Sequence, residues 1–387
     1  MRNRSLCLHG MTIALAMALA PAPAHTAASP LSTVWSRQPA GSPFAAVGTS
    51  RSVVTAEDGP AGIVVTQYDA NGNQIGGPTA LSDTNPVLAV ATDFSGNVLV
   101  ASSATLTSLS SAGGTNFTLT PASPIRSMAV DASGNIVLAE NTWNSDLTLE
   151  KVDASGNPVF TRAYSSTGGI EELSLATDST GNIVVAAAYE MGTIDFGGHP
   201  LTAPSLDSMV LAKLSASGDH VFSKIFNPTV AADGTYAGIY KVRAACDAKN
   251  NIVATGIIDG MGKLVMGSRS ITLPSPGAET MFLAKFSATG STSFARAIGT
   301  DGVYVEAIAV DAGGNIVTTG ENRSSHFLGG VAGVFVAKFS SGGNYRTARV
   351  IASPSGTANS IAVDRASNDP VAAGTDFPAN YLLKLNP

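Results

Sequence analysis

A five-residue phrase, Asp-x-x-Gly-Asn followed by an apolar run, recurs along the chain and constrains its fold more than any other feature. It reads Asp93-Phe-Ser-Gly-Asn97, Asp131-Ala-Ser-Gly-Asn135, Asp178-Ser-Thr-Gly-Asn182 and Asp311-Ala-Gly-Gly-Asn315. Weaker copies begin at Asp247 and Asp364. Self-similarity over tens of residues marks a solenoid, a propeller or an array. Successive copies lie 38 to 69 residues apart, so a constant core carries loops of varied length.

The same parts surround each copy. A short strand of small and β-branched residues precedes the Asp, as in Ile308-Ala-Val310, and a second strand follows the Asn. A third strand ends in Lys, as in Met209-Val-Leu-Ala-Lys213 and Phe335-Val-Ala-Lys338. A Gly-containing turn leads to a fourth strand such as Val221-Phe-Ser-Lys224. Gly and Asn accept the positive φ of tight hairpins, and the Asp carboxylate can cap the turn. Repetition of a four-strand unit selects a β-propeller among the all-β architectures.

A degenerate unit over residues 43–84 brings the count to seven. The others are expected at 85–123, 124–169, 170–234, 238–302, 303–356 and 357–387. The last stops after its third strand. The segment Thr33-Val-Trp-Ser-Arg37 has the fourth-strand pattern and is expected to complete it, closing the ring without a free seam. The expectation is an all-β, seven-bladed propeller spanning 30–387.

Residues 1–24 read as a signal peptide: Arg2 and Arg4, an apolar run Met11–Ala20, and Ala22-Pro23-Ala24 as a cleavage site, with cutting anywhere up to about residue 28. The run is short of the roughly 20 residues a spanning helix needs. Export is therefore expected, to the periplasm, the cell surface or the medium, with no membrane span. Cleavage would leave Cys246 as the one cysteine, so no intramolecular disulfide is expected, and the thiol reads as a small core group. Only 13% of residues are charged, the net charge is −6 and no basic cluster occurs, which argues against nucleic-acid binding.

With the unit laid out, the chain resembles bacterial seven-bladed propeller proteins of the SBBP-repeat family. The resemblance rests on Ile308-Ala-Val-Asp-Ala-Gly-Gly-Asn-Ile-Val-Thr-Thr-Gly320 with Val336-Ala-Lys-Phe-Ser-Ser-Gly-Gly343. It rests equally on Ile194-Asp-Phe-Gly-Gly-His-Pro-Leu-Thr202 leading into Leu211-Ala-Lys-Leu-Ser-Ala-Ser-Gly218. Units four to six match best. Gln67 and Ser108 stand where later units carry Lys. The family implies an exported bacterial propeller and supplies no catalytic residues.

The recurrent Asp residues read as turn caps, since no repeat supplies the Glu that closes an EF-hand calcium loop. The recurrent Lys residues are expected to snorkel over their blades and to pair with an acidic or carbonyl group. Neither a metal-binding histidine motif nor a Gly-x-Ser-x-Gly elbow occurs. Glu140, Glu190 and Glu321 follow second strands and are expected to line one face. Asp195, His199 and Asp207 form the one crowded acid and imidazole patch, in the long insertion of the fourth unit. His326 lies in the corresponding insertion of the sixth.

These residues define an expected ligand face. The reading is a non-enzymatic, monomeric binding scaffold for an unknown protein or glycan, without a cofactor. Two alternatives stay open: a lyase or hydrolase with an acidic site at the channel mouth, and a structural component of the cell envelope.

Overall fold

The computed structural model describes residues 31–48, 51–142, 146–204, 207–229, 237–260, 262–272, 279–299, 301–324, 327–376 and 379–386. The signal-peptide reading, His25 and His326 lie outside them.

Seven four-stranded antiparallel sheets carry the chain. Blades 1 to 3 have first strands Pro43–Val47, Val87–Thr92 and Ile125–Val130, and fourth strands Thr79–Ala80, Thr115–Leu119 and Pro158–Tyr164. Blade 4 comprises Ile170–Thr177, Ile183–Tyr189, Ser208–Leu214 and His220–Phe226. Blade 5 comprises Ala237–Cys246, Ile252–Gly260, Thr280–Phe286 and Thr292–Ile298. Blade 6 comprises Val303–Val310, Ile316–Asn322, Gly333–Phe339 and Tyr345–Ala352. Blade 7 takes Thr357–Asp364, Asp369–Thr375 and Tyr381–Leu385, and its fourth strand is Thr33–Arg37. The N-terminal strand pairs antiparallel through Thr33 with Leu385 and Ser36 with Leu383.

First strands of successive blades lie against one another, and that of blade 7 lies against that of blade 1. This closes the ring with small residues at its axis. Side chains stitch the axis as well: Ser127, Ser174 and Ser360 each accept a backbone N–H from the neighbouring first strand, at Leu175, Ala244 and Ala45.

The repeated phrase folds as an Asx-type turn between first and second strands. In blade 4 the Asp178 Oδ1 accepts the N–H of Thr180 and of Asn182, at 2.9 and 3.0 Å. Its Oδ2 accepts Asn182 Nδ2 at 2.9 Å. The Gly takes positive φ, and Asn250 and Asn368 take that role in blades 5 and 7.

The third-strand lysines are more deeply placed than side chains that merely lie along a surface. Lys151, Lys213, Lys285, Lys338 and Lys384 are buried and pair with Asp131, Asp178, Asp247, Asp311 and Asp364 at 2.8–3.0 Å. Lys151, Lys213 and Lys285 also donate to a turn carbonyl of the next blade, at Ala216, Ala288 and Ser341. Each of these three ammonium groups thus joins two blades. Blade 1 lacks the turn Asp, and the neutral Gln67 reaches the next blade instead, at Ser111 O. A neutral donor there avoids an uncompensated buried cation.

Fourth-strand aromatics set the spacing at the rim. Phe160, Phe222 and Phe294 pack on the left-handed turn glycines of the following blades, Gly218, Gly290 and Gly343, where a Cβ would come within 3.1 Å of the ring. Trp35 meets Gly72 of blade 1 in the same way.

Candidate interaction face

Strand order fixes which loops share a face. The Asp turns join first to second strands, so they lie at the opposite end of each antiparallel sheet from the loops joining second to third strands. Those second loops carry the insertions. In blade 4 the insertion holds the ribbon Gly192–Ile194 with Leu201–Ala203, and in blade 5 the ribbon Lys263–Met266 with Arg269–Thr272.

On the insertion-bearing face, six of the seven first strands carry a β-bulge near their start. The bulged residues are Leu88, Arg126, Glu171, Tyr240, Glu306 and Asn359. A bulge re-aims one side chain out of the pleat. The backbone device repeats, but the chemistry at its tip does not.

Around blades 3 to 6 these tips and their neighbours alternate in charge. Arg126 donates to the Glu171 carbonyl at 2.7 Å. Arg243 pairs with Glu172 at 2.8 Å and donates to the Glu306 carbonyl. Lys241 pairs with Glu306 at 2.6 Å.

Beside this chain of pairs, Glu171, Glu190 and Asp207 place carboxylate oxygens within 4.8 Å of one another, the one such metal-capable group among the described residues. Burial pushes the Glu171 carboxyl up to about 7, and the Asp207 charge and a hydrogen bond with Glu190 push the same way. Burial and the Glu190 charge also raise Asp207, against a hydrogen bond from Tyr240. Asp207 adopts φ 66°, and its carbonyl accepts the Ile239 N–H at 2.9 Å, which ties the insertion of blade 4 to blade 5. Tyr240 stands 41% exposed beside it. Three oxygens this close can hold one cation or accept a cationic side chain.

Of the residues singled out in the sequence, Glu190 and Asp207 come together, with Glu171 as the third member. Glu140 is elsewhere: it is buried at the end of its strand in blade 3, and its carboxyl is pushed up to about 7 by burial and by a hydrogen bond with Glu150. Glu321 lies in blade 6 and pairs with Arg323 at 2.8 Å. Asp195 accepts the Gly197 N–H at 2.8 Å and so shapes its own turn, while His199 is exposed at the tip of that turn. His220 packs against Gly198, and its Nε2 lies 3.1 Å from Ser223 Oγ.

The ring geometry decides the class. The chain is a seven-bladed β-propeller. Solved structures agree on the fold. A chain of the Mitotic Checkpoint Complex matches with a TM-score of 0.57 at 12% identity, over 99% of each chain. Raptor of Chaetomium thermophilum matches with a TM-score of 0.58 at 10% identity, over 93% of this chain and 29% of its own. BamB from Moraxella catarrhalis matches at 0.50 and 13% identity, over 92% and 99%. At these identities the likeness shows the fold alone. No protein-family model matches the chain, and no curated protein does.

Among the described residues no helix is long and apolar enough to cross a membrane. Cys246 is a free thiol, and burial pushes it up to about 12.

Proposed function

We propose that the protein is an exported, non-enzymatic interaction scaffold of the SBBP-repeat type, working as a monomer, whose insertion-bearing face takes a cationic group of a protein or glycan partner. One observation carries the reading: the Glu171, Glu190 and Asp207 carboxylates cluster beside bulge positions whose chemistry differs from blade to blade. Architectural positions in this chain mostly keep their residue type: the turn Asp recurs in six of the seven blades and the third-strand Lys in five. Positions that vary while their backbone geometry repeats suit recognition. The N-terminal pattern of Arg2, Arg4 and the apolar run supports export.

The test is affinity capture by the mature protein against secreted proteins and surface glycans, beside the variant E171Q/E190Q/D207N. Partners that bind the parent and are lost from the variant support the reading. Identical captures from both count against it.

A second reading, a hydrolase or lyase, is favoured by the Glu171 and Glu190 pair. A carboxyl pushed up to about 7 next to a second carboxylate suits general acid–base work. Turnover of a glycan panel that E171Q abolishes would establish it.

A further inference from the structure

The gaps between the outer strands of blades 3 to 6 are not filled alike. Tyr164, Phe226 and Ile298 occupy equivalent positions, each four residues after the rim aromatic of its fourth strand. Tyr164 is 5% exposed because the blade 4 ribbon covers it, with Phe196 at 5.4 Å between ring centres. Phe226 is likewise 5% exposed, in a core shared with Leu264 and Met266 of the blade 5 ribbon. Each insertion thus fills the gap before its own blade.

Blade 6 breaks this pattern. Its loop between second and third strands, residues 323–332, is about half as long as loops 190–207 and 261–279. Its described part forms a single turn, Phe327–Gly330, and no ribbon. Among the described residues, the gap between blades 5 and 6 holds a cavity of about 1030 Å³ lined by Ile298, Phe327, Leu328, Tyr345, Ala348 and Val350. Ile298 is left half-buried.

Charge is unbalanced at the same place. Arg162 of blade 3 pairs with Asp219 in the turn of blade 4 at 2.9 Å. Arg296 is its equivalent in blade 5, and Asn344 stands where the Asp would be. Arg296 makes no ion pair among the described residues; it donates a 3.4 Å hydrogen bond to the Gly342 carbonyl and lies 5.7 Å over the Phe294 ring, leaving its charge without a counter-ion. It lines both this cavity and an adjoining one of about 540 Å³ that also holds Arg269.

We infer that this groove binds an extended segment of a partner protein, in the place that a ribbon of the chain itself occupies in the two preceding gaps. The segment carries a bulky apolar side chain over Ile298 and, two residues away along the strand, a carboxylate on Arg296. Two residues is the spacing of Arg296 and Ile298, which share one face of their strand. The covered gaps supply the apolar part of the specification, and the unpaired guanidinium supplies the acidic part. This site lies on the outer wall and is independent of the acidic face.

The probe is a labelled synthetic peptide, Gly-Thr-Phe-Thr-Asp-Thr-Gly, whose Phe and Asp stand two residues apart and share one face of an extended strand. Binding is read by fluorescence polarisation on the full mature protein. The expected result is saturable binding that R296E weakens at least about fivefold, that A348W abolishes, and that replacing the peptide's Asp with Asn also weakens. R296E alters an exposed side chain, so it remains informative if A348W fails to fold. No saturable binding, or binding that R296E leaves unchanged, overturns the inference. So does a fatty acid that occupies the groove while the peptide does not, or a concentration-dependent dimer in sedimentation that A348W dissolves.

Discussion

The indole N–H of Trp35 donates to the carbonyl oxygen of Ala70 at 3.0 Å, so the first described strand is tied to the second hairpin turn of blade 1. The same ring lies over Gly72 of that turn and 6.2 Å from Tyr68. Trp35 therefore does for blades 7 and 1 what Phe160, Phe222 and Phe294 do for later pairs. The strand that completes blade 7 comes from the other end of the chain, and this side chain locks it to the next blade.

Truncating that lock loosens the closure. W35A is expected to lower stability by about 3–5 kcal/mol, the cost of deleting a large buried aromatic. G72A is expected to destabilise as well, because its Cβ would lie 2.6 Å from the indole and φ is +81°. Urea denaturation followed by tryptophan and tyrosine fluorescence gives both values.

The buried pair of Asp178 and Lys213 makes a separate test. D178N leaves the Lys213 ammonium buried without its counter-charge, which costs about 3–5 kcal/mol. The double variant D178N/K213M removes the stranded charge and is expected to recover a large part of that loss. A double variant as unstable as the sum of the single ones would show that the two residues contribute independently, without the coupling expected of a buried pair.

Stability is expected to peak in mildly acidic solution. Asp178 is held down to about 2: burial opposes this, but hydrogen bonds from Lys213, Asn182 and Thr180 outweigh it. Its contribution is present above 3.8 and is lost as pH falls through 2. Glu140 and Glu171 are raised from 4.5 to about 7, burial being the main cause in both. Their contributions are complete below 4.5 and are lost as pH rises through 7. Glu150 faces Glu140, and Asp207, Glu190 and Glu172 surround Glu171. Melting temperatures from pH 3 to 9 check the optimum, and E140Q and E171Q should each reduce the fall between pH 5 and 8.

Much of the fold was legible because it is written several times over. The blade count and the strand order follow from the repeated phrase and the strands around it, and the closing strand from the fourth-strand pattern of Thr33–Arg37. The candidate site was less legible. Glu140 follows its turn Asp by nine residues, Glu190 by twelve and Glu321 by ten. Strand alternation sends nine and ten to opposite faces, so the three do not act as equivalents. Glu171 joined the cluster through a bulge, and no local residue type announces a bulge of this kind. Asp195 and His199 looked like a patch because they are close in sequence, but the Asp is spent on its own turn.

Cys246 gives a check on core packing. With its thiol pushed up to about 12 and the side chain set against blade 4, alkylation in the native state should be far slower than in denaturant. Equal rates under both conditions would mean that the gap between blades 4 and 5 opens readily.

Hydrogen–deuterium exchange of the mature protein, with and without a partner obtained by the capture above, tests most directly where recognition occurs. If the insertion-bearing face is the binding face, partner-induced protection falls on residues 169–172, 189–204 and 237–243. Protection confined to the Asp turns at 131–135, 178–182 and 311–315, on the opposite face, would contradict that assignment.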